Sequence, residues 1–154
     1  MENSLDRLGY ETFGPVVSRE KLDAVRERIF ADGEAGTRCL LDDTRVGAIA
    51  VEARSTLVAA DRLPEGAVAI QAIAFNKTAA ANWKVTWHQD LMFPFAEPVQ
   101  EEGFALPSVK DGVNYARPPV LVLDELLAVR IHLDACDAGN GPLRVSPGTH
   151  RRGI

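Results

Sequence analysis

Two residues apart in the stretch NWKVTWHQDLMF, residues 82–93, stand an imidazole, His88, and a carboxylate, Asp90. In an extended chain, residues i and i+2 project from one face, about 6.6–7 Å apart at Cα. Side chains of this length can converge from there onto a single ion, with metal bonds of about 2.0–2.2 Å closing the gap. One imidazole and one carboxylate suit a borderline or hard cation such as Fe(II), Mn(II) or Zn(II). A second histidine from another strand would complete one face of an octahedron and leave positions open, the arrangement of non-haem Fe(II) oxygenases. The same two residues can equally be a surface histidine beside a surface acid. Trp87, Leu91, Met92 and Phe93 place apolar bulk around the pair. Polar groups in such a setting need partners, and a cation is one.

AVRIHLDAC, residues 128–136, has the same alternating grammar. Arg130, His132 and Asp134 share one face, and Val129, Ile131 and Leu133 share the other. The apolar face reads as core. The polar face can meet solvent, or it can line a cavity where Arg130 pairs bidentately with a carboxylate ligand.

In the chain as a whole, helices precede strands. SREKLDAVRERIFA (18–31) predicts a helix capped by Ser18, with Leu22, Val25 and Ile29 in one stripe. ADGEAGTR (31–38) predicts a loop by its glycines. A second helical region starts at Asp42–Thr44, where three residues in a row can cap. Val46, Ile49, Ala50, Ala53 and Leu57 then recur at helical intervals, and Arg54–Ser55 could divide the helix in two.

After LPEG (63–66) the character changes. AVAIQAIAF (67–75) predicts a buried strand, and VTWHQDLMF (85–93) another. Residues 94–119 are rich in proline and read as one long loop of 26 residues, a length usually reserved for functional covers. VLVLDELL (120–127) predicts a short helix, 128–136 a strand, and DAGNGPL (137–143) a turn with Asn140–Gly141 suited to positive φ. The order predicts an α+β chain of one domain over residues 1–154, helical in 1–62 and stranded in 67–154.

Composition narrows the function classes. With 46% hydrophobic and 25% charged residues, the 154-residue chain can bury a core and is not a disordered tail. Its net charge of −5 disfavours phosphate backbones, so no nucleic-acid partner is expected. No run approaches the ~18 apolar residues of a membrane span, so no membrane partner is expected either. MENSLDRLGYETF lacks a basic-then-apolar leader, and Cys39 and Cys136 have no metal-type spacing; both predict reduced thiols in a cytoplasmic protein. No GxGxxG, phosphate-loop, GxSxG or HExxH motif is present.

Taken together, FNKTAAANWKVTWHQDLMF and RIHLDACDAGNGPLRVSPGTHRRG resemble segments of the phytanoyl-CoA dioxygenase family of Fe(II)/2-oxoglutarate oxygenases. The first is similar to the family's approach through its HxD iron motif. The second is similar to its strand, its NGPL turn and its PG[ST]H segment with trailing basic residues. The resemblance spans roughly residues 70–153. It implies a double-stranded β-helix, or jelly-roll, with iron held by His88 and Asp90. It implies 2-oxoglutarate as co-substrate and hydroxylation of an aliphatic C–H bond in a small-molecule substrate. The metal activates O2 while the protein supplies geometry and excludes water. Gln89, between the ligands, is expected to point to the opposite face. Lys77, in the family-like NKT run, receives no role.

The family's distal histidine, and the arginine that binds the far carboxylate of 2-oxoglutarate, lie beyond the PGTH segment. The chain ends four residues after His150, so the expectation is the N-terminal portion of such a domain, with half of a jelly-roll and impaired turnover by itself. Unpaired strand edges then favour self-association. Two alternatives stay open. One is a non-catalytic jelly-roll fragment that acts by associating with another chain. The other is a metal-binding jelly-roll of a different class, with His132 or His150 as third ligand.

Overall fold

Leu22, Val25 and Ile29 fall on one side of a helix because their spacing follows the 3.6-residue turn. The computed structural model, which describes residues 4–30, 36–78 and 85–154, forms that helix as Arg19–Ile29 (α2), with all three residues buried. It follows a one-turn helix, Ser4–Leu8 (α1). Ser18 takes the N-cap position of α2 without a side-chain cap; its backbone N–H donates to Glu52 Oε1 instead, at 3.1 Å.

The longest helix, Thr44–Ala59 (α3), starts where its chemistry dictates. Asp43 Oδ1 accepts from the backbone N–H groups of Arg45 (2.8 Å) and Val46 (3.3 Å), which the first turn leaves without partners. Val46, Ile49, Ala53 and Leu57 form its buried stripe. No break occurs at Arg54–Ser55. Ser55 Oγ donates back to Val51 O (2.9 Å) within the helix, and Arg54 reaches out to Ala67 O and Glu65 O.

The two helices face each other across the core. Val17, Leu22, Val25, Ile29, Val46, Ile49, Ala53 and Ala74 make one buried cluster, with Ile131 and Leu133 among the side chains packed on it. At its rim, Lys21 pairs with Glu52, and Arg62 grips Glu11 with two nitrogens at 2.6 and 3.2 Å. These contacts hold Glu11 and Glu52 below the ordinary carboxylate range, through Arg62 and Lys21 respectively. The helix-end N–H groups do the same for Asp43. A carboxylate whose pKa is depressed by folding stabilises fully above its unfolded value of about 4, and loses that contribution as pH falls through the lower folded value. The melting temperature is therefore expected to respond little to these groups from pH 7 to 5.5 and to fall below about pH 4.5, less steeply in Glu11→Gln. Calorimetric scans across pH check this; a protein that gains stability on acidification contradicts it.

The strands depart from expectation. Gly36–Thr37 (β1) pairs antiparallel with Ala74–Phe75 (β2). A second antiparallel sheet, in the order β3-β5-β4, joins Phe93–Phe95 (β3), Ala105–Lys110 (β4) and Val113–Arg117 (β5). This larger sheet lies almost wholly inside residues 94–119, the expected loop. Its prolines stand where a missing N–H costs nothing: Pro94 on edge strand β3, and Pro107 in edge strand β4 at the register shift between Ala105 and Ser108. The hairpin β4–β5 turns on Asp111 and Gly112, both at positive φ (52° and 78°), the requirement of the two-residue turn that matches strand twist.

Conversely, the three expected strands form only at their ends or not at all among the described residues: 67–75 is a strand only at Ala74–Phe75 (β2), 85–93 only at Phe93, where β3 begins, and 128–136 nowhere. Residues 67–73 form no ladder, and Val68 is 76% exposed. Ala67 O and Ala72 O accept from Arg54 and from the Leu40 N–H instead. Residues 85–92 are irregular, and so are 128–136. In the latter segment Leu133 O accepts from Arg19, Asp134 pairs with Arg26 at 2.8 Å, and Ala135 O accepts from Asn140. Side-chain donors from α2 and the following turn hold this backbone, and among the described residues it joins no ladder. In that turn Gly141 alone takes positive φ (76°).

The short helix of 120–127 forms over Val120–Leu123 (α4). The chain is α+β, with two small antiparallel sheets and no barrel among the described residues. Residues 31–35 of the expected glycine loop, and 79–84 of the approach to HxD, lie outside the described residues. No described helix is long and apolar enough to cross a membrane.

Candidate metal centre

His88 and Asp90 converge without a strand to align them. His88 Nε2 lies 3.3 Å from Asp90 Oδ1. The other ring nitrogen, Nδ1, lies 2.8 Å from Thr86 O. A carbonyl only accepts, so Nδ1 carries the proton and the ring's orientation is fixed. In the neutral ring Nε2 then presents a lone pair to a carboxylate oxygen, two acceptors face to face. A cation between them resolves that opposition. A proton makes an exposed ion pair, and a divalent metal makes a chelate.

The separation fits the second case as well as the first. Two donors bonded to one ion at about 2.0–2.2 Å in neighbouring positions stand roughly 3 Å apart. A backbone carbonyl on the far ring nitrogen is the usual support of a metal-bound imidazole. The residues present thus fit two ligand positions. Among the described residues no group of three or more His, Cys, Asp or Glu side chains comes together.

The surroundings are not those expected. The His88 and Asp90 side chains are 52% and 76% exposed, and Trp87 is 66% exposed. Without a strand, the apolar neighbours do not enclose the pair; Leu91, Met92 and Phe93 are half-buried as the chain enters β3. Gln89 does turn to a separate task, donating from Nε2 to Gly153 O at 2.9 Å.

The other sequence candidates lie apart from the pair. Arg130 and His132 are exposed, and among the described residues neither has a hydrogen-bond or ion-pair partner. His150 Nε2 sits 2.9 Å from Asp6 O, against α1, and its ring covers Gly9, where an added Cβ would fall 2.4 Å from Nδ1. Lys77 Cδ lies 3.9 Å from the position of a Cβ on Gly141. Two surface clefts, of about 290 and 220 Å3, are lined by residues of the β4–β5 region and its flanks, the first also by Ile154, and include neither His88 nor Asp90.

Sequence reasoning passed over two features of this segment. Thr86 acts through its carbonyl, which no side-chain pattern reveals. Arg144, over the Trp87 ring at 5.7 Å, stands in the same NGPLR run that carries the resemblance, and its charge beside an aromatic was the available signal.

No curated protein and no solved structure matches the chain. A sequence model of the phytanoyl-CoA dioxygenase family (PhyH) matches residues 5–154, which takes in both helices of the core, the HxD pair and the PGTH segment. The chain belongs to the phytanoyl-CoA dioxygenase family.

Proposed function

We infer that the protein serves a non-haem Fe(II)/2-oxoglutarate dioxygenase reaction, hydroxylating an aliphatic C–H bond of a small organic molecule in the cytoplasm. Family membership supports the dioxygenase class. The observation that carries the site is the approach of His88 Nε2 to Asp90 Oδ1, with Nδ1 tied to Thr86 O. His88 and Asp90 would hold the iron. Arg130, exposed and unpaired among the described residues, would offer its fork to a carboxylate of 2-oxoglutarate. When bound, the metal and 2-oxoglutarate together supply the oxidising power for O2 activation. The chain's own residues do the rest. Thr86 O keeps the proton on Nδ1 and leaves Nε2 free to ligate, and Gln89 anchors the motif to Gly153. The domain reading is a helical part, 1–62, supporting a jelly-roll part, 67–154.

Release of succinate tests this reading. It should require Fe(II), 2-oxoglutarate and O2 together, and should vanish in Asp90→Ala. A protein that binds metal at His88 and Asp90 yet forms no succinate, with or without a C-terminal extension that carries a histidine and an arginine, refutes the oxygenase role. A second reading, association with another chain, is favoured by the exposed Leu106 and Val109 on edge strand β4. Sedimentation of a concentration series distinguishes it.

A further inference from the structure

The residue before His88 carries a chemistry of its own. The Arg144 guanidinium lies over the Trp87 ring, its Cζ 5.7 Å from the centroid, and both side chains are exposed. Arg19, Arg26, Arg38, Arg45 and Arg62 each have a carboxylate partner. Arg144 has none among the described residues; the indole is its contact. A guanidinium over an aromatic ring is drawn by the negative ring face and keeps its N–H fork available to an anion. The ring also restricts a long side chain, so less freedom is lost when a ligand binds. A planar anion with two parallel acceptors matches that fork, which describes a carboxylate. The open remainder of the indole favours an apolar body beside the charge.

We propose that Arg144 and Trp87 form a binding site for the carboxylate of an organic acid with an apolar body, next to the His88–Asp90 pair. Identifying this ligand with the molecule oxidised rests on the dioxygenase reading; the binding itself does not. Isothermal titration of the full chain, with metal removed, uses hexanoate, hexanamide and 2-oxoglutarate as probes. Hexanoate should bind and shift the Trp87 indole N–H resonance, while hexanamide, which lacks the charge, should not bind. Arg144→Gln should weaken hexanoate about tenfold or more, the loss expected for one charged hydrogen-bonded contact, and leave Mn(II) affinity unchanged. Binding of 2-oxoglutarate but not hexanoate overturns the proposal, because the ligand then carries no apolar body. Equal binding of hexanoate and hexanamide, or an Arg144→Gln protein that binds hexanoate as tightly as the parent, overturns the proposal. A separate Mn(II) titration that shows no binding removes the iron reading without touching this result.

Discussion

Replacing His88 with alanine is expected to weaken Mn(II) or Co(II) binding by at least ten- to a hundredfold. The scale follows from what the side chain would supply. Losing even an outer partner of a metal ligand costs about 10–100-fold in affinity, and a ligand itself costs no less. His88 is also the residue whose geometry is prepared: Nδ1 is engaged by Thr86 O, and Nε2 faces Asp90 Oδ1 at 3.3 Å. Asp90→Ala should show a loss of the same order, because one imidazole alone does not chelate. His132→Ala and His150→Ala should bind metal as the parent does. His150 is engaged with Asp6 O, and neither histidine joins a cluster among the described residues. Electron paramagnetic resonance of Mn(II) titrated into each variant reads free against bound ion directly. A large loss at His132 or His150 would transfer the site to a different set of ligands. Unchanged binding in His88→Ala would leave the pair as an exposed ion pair and nothing more.

The second large effect is structural. Leu22→Ala is expected to cost about 2–5 kcal/mol, the range for removing a buried leucine side chain from a packed interior. Leu22 sits in the cluster that joins α2 to α3, among Val25, Ile29, Val46, Ile49 and Ala53. Because a chain of this size loses roughly 2–4 °C of melting temperature per kcal/mol, the variant should melt about 4–20 °C below the parent. Thermal denaturation followed by circular dichroism at 222 nm checks it. The same truncation at exposed Leu121, on α4, should be nearly neutral. Should the two variants melt together, the α2–α3 contact is not where stability resides.

Which parts of this fold could be seen in the sequence follows from what each part depends on. A helix satisfies its own backbone, so its period and its caps are written locally. The stripe Leu22–Val25–Ile29 and the cap before Thr44 were therefore legible, down to the buried positions. A strand requires a neighbour, and alternation cannot say whether one exists. Residues 67–73, 85–92 and 128–136 have strand-like composition, but their carbonyls meet Arg54, Arg19, Asn140 and His88 instead of a ladder. The sheet that does form was hidden by its prolines, which edge strands tolerate. The Asp111–Gly112 dipeptide between Val109 and Val113 was the overlooked sign of a hairpin. At the candidate site, residue type and spacing picked out His88 and Asp90 as a pair that could meet, and their side chains do approach, to 3.3 Å. The means of convergence was not legible, because a carbonyl at Thr86 and a contact from Gln89 to Gly153 belong to an irregular path.

Residues 148–151 fasten onto the first helix. The Gly148 N–H donates to Leu8 O at 2.8 Å, His150 rests on Gly9, and Arg151 reaches Asp6 O. The two sides of this clasp are 144 positions apart at His150 and Asp6. Contacts of such span carry the largest closure entropy and come late in assembly, whereas the α2–α3 pair needs only nearby sequence. Gln89 takes its grip on the strand of chain just past this clasp. The segment that carries His88 and Asp90 is thus expected to mature at the closing step of folding, so that an early folding species would already hold its helical core while this pair was still unassembled.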